Sequence, residues 1–424
     1  MTTPTLLRLA LNRLRPGDSA AQPATSTARA ITQLTYRYDR LRSIPTGMLE
    51  TAGSTFLLLI AVQAFQAGAT EKALIAAAGN VGMLLTPIVV QLVERFRWTL
   101  SRGAAVIALF GAFCFLLAAL IPSLAAFTLC CVAAIACTQA VVPLMTQVYQ
   151  NNYAPRERGR YYSRALVIRV AVSAAFAEMA GRFLTQDIGW FRWLLVIFAG
   201  AFVAAAYFMS RIPSSPLIPS GSSDPLRAVR YVLQDRVFSW TLLVWMLMGF
   251  ANLMMSPMRI EFLANPRYGL SLDAAQIALL TSVIPSLARL VMGPVWGWIF
   301  DRANFFVLRM ILNVGFALGI ATFFTGNGAV GLIVGAVIFG VSASGGDLAW
   351  SLWVTKFAPA ERVADYMSVH TFLTGVRGVA APMVAYQLIN TLTLSTLSWI
   401  SAGLIFIATL MLIPEIRFGK PNRD

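Results

Sequence analysis

Apolar segments of about twenty residues recur along almost the whole chain, and few sequence features narrow a fold more. A segment inside a bilayer has no water to satisfy its backbone, so roughly 20 apolar residues in a row cross it as a helix. Twelve such segments stand in the 424 residues, at 45–66, 72–93, 99–121, 124–149, 161–186, 189–210, 237–260, 273–299, 305–325, 328–356, 362–390 and 393–415. Charged residues make up 12% of the chain, where a soluble domain carries about 25%. Too little polarity is left to cover a water-facing surface, so the chain reads as a multi-pass membrane protein.

The basic residues orient it. With the N-terminus inside, 25 of the 33 Lys and Arg fall on inside segments, five (Lys72, Arg182, Arg192, Arg259, Arg267) on outside ends and three within spans. Positive residues stay on the cytoplasmic side of short loops, so both termini are expected there. The net charge of +15 is spread between apolar segments rather than gathered in one stripe with aromatics, which argues against nucleic acid. Cys114, Cys130, Cys131 and Cys137 all lie in apolar segments and behave as small hydrophobes rather than ligands or bridges.

Residues 5–15, "TLLRLALNRLR", form a basic amphipathic stretch suited to an anionic leaflet, with an organellar transit peptide as the alternative. No cleavable signal is expected. Residues 211–236 are rich in Pro and Ser and divide the spans six and six. The expected domains are a basic tail (1–44), a six-helix bundle (45–210), a cytoplasmic linker (211–236), a second bundle (237–416) and a short tail (417–424).

The halves repeat one another. "APRERGRYY" (154–162) returns as "APAERVADY" (358–366), matching Pro155 to Pro359, Glu157 to Glu361, Arg158 to Arg362 and Tyr162 to Tyr366. "TPIVVQLVERF" (86–96) aligns with "GPVWGWIFDRA" (293–303), matching Pro87 to Pro294, Glu94 to Asp301 and Arg95 to Arg302. Internal repeats of this kind mark transporters whose solute site lies between the halves. With Gly297, Asp301 and Arg302 in one inside loop, and Pro155, Arg158 and Gly159 in another, the chain resembles the major facilitator superfamily over residues 45–416. The first copy of the loop motif departs from the family pattern, with Val90 for the Gly and Glu94 for the Asp. The Gly-Pro-rich fifth-span motif of many antiporters is absent.

The resemblance implies an all-α integral membrane fold of twelve transmembrane helices in two pseudo-symmetric six-helix bundles. A carboxylate at a cytoplasmic helix end can meet the positive N-terminus of a neighbouring helix. Glu94, Arg95, Arg158, Gly297, Asp301, Arg302 and Arg362 are therefore expected to form an inside gating latch. The alternative is solvated charges in ordinary basic loops.

Ionisable residues within spans are costly and point to a site or a buried pair. Here they are Glu50, Arg169, Glu178, Arg289, Asp347, His370 and Arg377. Counting 1.5 Å per residue from the cytoplasmic ends puts Asp347, His370, Arg289 and Arg169 at roughly 15, 16, 18 and 21 Å. Glu50 comes out at about 8 Å, Arg377 at about 27 Å and Glu178 at about 34 Å. Glu178 and Arg182, four apart, are expected to pair. Matching depths make Asp347 and His370, with Glu50, the expected proton-coupling groups. Arg169, Arg289 and Arg377 outnumber the acids at mid-depth and are expected to hold an anionic or carboxylate-bearing solute. Structural pairing of those arginines is the alternative.

The expected function is alternating-access secondary transport of a small organic solute, proton-coupled, by a monomer in a bacterial inner membrane. No cofactor, metal or catalytic residue is expected. A multidrug pump and a non-transporting scaffold or sensor of the same fold are the alternatives.

Overall fold

The computed structural model describes residues 26–216, 234–270, 272–326, 328–357 and 363–418. They form twelve helical rods: α1 (residues 26–63), α2 (Ala69–Arg95), α3 (Leu100–Leu120), α4 (residues 124–152), α5 (Pro155–Gln186), α6 (Phe191–Ser210), α7 (Arg236–Ala264), α8 (residues 274–302), α9 (Phe305–Thr325), α10 (Gly328–Leu352), α11 (Val363–Leu388) and α12 (Leu394–Leu410). No strand is present among the described residues. Eight of the rods are long and apolar enough to cross a membrane, nine with the bent α2. α5 and α11 carry Arg169 and Glu178, and His370 and Arg377, within their length. α12 is apolar but has only 17 residues.

Short polar side chains start many of the rods. Thr99 accepts from the Arg102 amide, Ser123 from Ala126, Asp235 from Phe238 and Thr393 from Thr396. Asp273 and Gln276 exchange both bonds of a capping box. Each side-chain oxygen satisfies an amide that has no partner within its helix.

Packing repeats with a period of six helices. The pairs α1–α5, α2–α4 and α3–α6 recur as α7–α11, α8–α10 and α9–α12. The main contacts between halves obey the same rule, α2 against α11 and α8 against α5. Glycine permits both close approaches. A Cβ at Gly181 of α5 would come within 2.9 Å of Ala278 Cβ on α8, and one at Gly378 of α11 would overlap the Asn80 side chain of α2.

The first rod begins at Ser26 rather than near residue 45. Its early turns are packed: Thr35, Asp39 and Ser43 are buried, and the Asn152 amide donates to Thr35 Oγ1 and to the Pro213 carbonyl. The start of the linker is likewise tied to the first half, through Leu100 N to the Ser215 carbonyl.

Candidate functional site

Four mid-span charges, contributed by four helices from both halves, form one chain. Arg289 of α8 donates from Nη1 to Glu50 Oε1 of α1 at 3.0 Å and from Nη2 to Asp347 Oδ2 of α10 at 2.6 Å. Arg169 Nε of α5 lies 3.2 Å from Glu50 Oε2. Two acids and two arginines thus alternate as Arg169–Glu50–Arg289–Asp347. The Asp347 side chain is 59% exposed despite its mid-span position. Arg289 ties it to Glu50, so it stands in the cleft where the two halves meet.

Two π-helical turns lie just beyond this chain. One, Ala52–Phe56, begins two residues after Glu50; the other, Leu279–Val283, comes shortly before Arg289. They meet where Thr55 Oγ1 lies 3.1 Å from Thr281 Oγ1 and 3.4 Å from Ser282 Oγ. Single π turns concentrate at functional sites because the widened turn re-aims side chains. Here they seal the cleft on the side away from the chain termini.

The seal continues outward. Lys72 Nζ of α2 donates to Glu261 Oε1 of α7 at 2.7 Å, with both side chains buried. Asn265 Nδ2 donates to the same oxygen at 2.7 Å, and Lys72 lies 5.2 Å from the Tyr386 ring of α11. Thr185 Oγ1 accepts from the Ala275 amide, and Gln63 donates to the Leu272 carbonyl. The bonds that join the halves thus run from mid-span to the far end.

At the termini end the described residues hold only part of the expected latch. Glu94 and Arg95 make no ion pair among the described residues. Arg302 donates to the Trp298 carbonyl of its own helix and lies over the Trp298 ring. A Cβ at Gly297 would meet nothing within 4 Å, so no neighbouring helix packs there. The side chains of Arg158 and Asp301, and all of Arg362, lie outside the described residues.

His370 and Asp347 are not partners. The carboxylate turns to Arg289, whereas the imidazole is enclosed by the rings of Trp245, Trp350 and Trp353 at 5.6, 5.6 and 5.2 Å. Neither ring nitrogen has a hydrogen-bond partner among the described residues. Arg377 is also away from the cleft. It packs against Gly249 and donates to the Trp245 carbonyl inside the second half. Glu178 and Arg182 do pair, at 2.7 Å, on an exposed face.

A further charged group involves Asp39 and Arg42, in the stretch whose polar sequence reads as tail. Asp39 Oδ1 accepts from the Tyr149 hydroxyl at 2.6 Å and from Arg42 Nη2 at 2.7 Å. Arg42 also donates to the Tyr149 oxygen at 2.7 Å, which closes a triangle between α1 and α4. Arg42, Tyr149, Tyr162 and Arg169 line one small pocket that leads toward the ion chain. The i, i+3 spacing of Asp39 and Arg42 was the available signal.

The model of the family described as Major Facilitator Superfamily matches residues 44–382. The chain belongs to that family. No curated protein sequence matches the chain. Among solved structures, the fold is similar to that of nucleoside transporter NupG, with TM-score 0.70 and 15% identity, over 90% of this chain and 98% of that one. A D-xylose-proton symporter gives TM-score 0.61 at 13% identity, over 91% and 96%. The human organic anion transporter MFSD10 gives 0.62 at 13%, over 92% and 100%. At such identities the likeness shows the fold, and the fold is that of a multi-pass membrane transporter.

Proposed function

We propose that this member of the superfamily carries a small, carboxylate-bearing organic solute by alternating access, coupled to protons. The observation that carries the reading is Arg289, whose guanidinium holds an acid of each half at once. A planar fork of this kind binds carboxylates in two-point fashion. A carboxylate solute entering the cleft competes with Asp347 and Glu50 for Arg289. Protonation of either acid frees part of the guanidinium, so proton and solute load together. The likenesses to a proton symporter and to an organic anion transporter support this choice.

His370 stands outside the coupling set, and Arg377 outside the solute set. Asp347 and Glu50 take the proton, and Arg289 with Arg169 take the solute. In the proposed orientation both termini are cytoplasmic in a bacterial inner membrane, and the protein works as a monomer. The bonds between the halves then hold the extracytoplasmic end shut, and the cleft faces the cytoplasm. Purified protein in liposomes under an imposed proton gradient tests the reading, with a panel of radiolabelled mono- and dicarboxylates. Gradient-driven accumulation of a carboxylate, absent in Arg289→Gln, is expected. Flux of neutral solutes alone would overturn the anionic assignment, and no flux at all would favour a scaffold.

A further inference from the structure

The second half contains a small cavity between α7, α9 and α10, away from the ion chain. Asn252, Ser256 and Arg259 line it from α7 and Phe339 from α10. Positions i, i+4 and i+7 place the three polar residues along one helical face. The Arg259 guanidinium carbon lies 3.6 Å from the centre of the Phe339 ring. Its Nε and Nη1, and the Asn252 side-chain oxygen, are shut off from solvent and have no hydrogen-bond partner among the described residues. Glu261, two residues along, is occupied by Lys72 and Asn265.

An unpaired buried cation is strongly unfavourable, and a ring face offsets only part of that cost. Water can satisfy the N–H groups but not the charge. Apart from its polar residues the cavity is narrow and walled by Met255, Gly319, Ile320 and Phe324. So small a space with so few polar groups suits a monatomic ion better than a carboxylate metabolite or phosphate.

We propose that this cavity is a binding site for a single small inorganic anion of halide type, held by Arg259, Ser256 and Asn252. The donors are the free guanidinium N–H groups, the Ser256 hydroxyl and the Asn252 amide, which can present its N–H side to an anion. The anion offsets the charge of Arg259 and holds α7 to α9 and α10. It is distinct from the transported solute, because Arg289 and Asp347 line another cleft.

The test is the melting temperature of the purified full chain in detergent, titrated with sodium chloride against sodium gluconate at constant ionic strength. Chloride is expected to raise it saturably, by about 2 °C or more well above half-saturation. Arg259→Gln should remove the chloride dependence. Should that variant not fold, Ser256→Ala and Asn252→Ala should each shift half-saturation to higher chloride. Crystals soaked in bromide should give an anomalous peak beside Arg259. Equal melting in chloride and gluconate would mean that the cavity holds only water and would overturn the proposal. So would a chloride effect unchanged in the substituted proteins, or a bromide peak elsewhere.

Discussion

The two halves share a packing plan but treat buried charge differently. In the first half, Asp39 meets Arg42, Glu50 meets Arg169 and Glu178 meets Arg182. In the second, Arg259, Arg309 and Arg377 have no carboxylate partner among the described residues. Arg309 is 3% exposed and lies 3.8 Å from the centre of the Trp245 ring. Of the second half's acids, Glu261 is spent on Lys72 across the interface, and Asp347 shares Arg289 with Glu50. Duplication reproduced the helix contacts, which depend on shape, and left the charges free to diverge. The first half keeps three ion pairs within itself. The second sets buried arginines against aromatic rings instead, Arg259 on Phe339 and Arg309 on Trp245.

The contrast can be broken most severely at Arg289. Arg289→Gln leaves Glu50 and Asp347 without their shared cation, and transport should fall by about 100-fold, on the order of 3 kcal/mol. Initial uptake rates in liposomes measure this; a rate within threefold of the unsubstituted protein would remove Arg289 from the site. Asp347→Asn should abolish gradient-driven accumulation while sparing solute exchange, and unchanged accumulation would exclude Asp347 from coupling.

The first half is tested at Asp39. Asp39→Ala should lower stability by about 3 kcal/mol, because Arg42 stays buried without its acid. Asp39→Leu with Arg42→Met should recover most of that loss in thermal unfolding. Across the interface, Lys72→Met should slow turnover roughly tenfold, on the order of 1.4 kcal/mol, and should raise labelling of a far-end cysteine. The exchange Lys72→Glu with Glu261→Lys should restore closure. The smallest effect belongs to the second half. Arg309→Met should change stability by no more than about 1 kcal/mol, and in the favourable direction, because it exchanges an unpaired cation for apolar volume. A large loss there would show a partner for Arg309 that the charge comparison misses.

Much of this architecture was legible in the amino-acid order, because apolar length and the spacing of the two repeats follow directly from what a bilayer permits. What was not legible follows from geometry that hydropathy does not carry. The helix of Glu50 starts at Ser26, in polar sequence, so a count from residue 45 placed that acid about 8 Å deep when some 36 Å of helix precede it. The count gave height along the membrane normal and no azimuth, so Asp347 and His370 matched in depth but face different neighbours. Arg289 was recognised as a mid-depth cation, yet its bridging of two halves required the fold. Lys72 and Glu261 sit near helix ends and were indistinguishable from loop charges until α2 and α7 were brought side by side.

Gly181 and Gly378 stand at symmetry-related contacts on opposite flanks of the cleft. Together they behave as a pair of bearings, smooth surfaces over which one half can roll without disengaging side chains at every step. A methyl group at either would act as a doorstop, wedging the far end ajar.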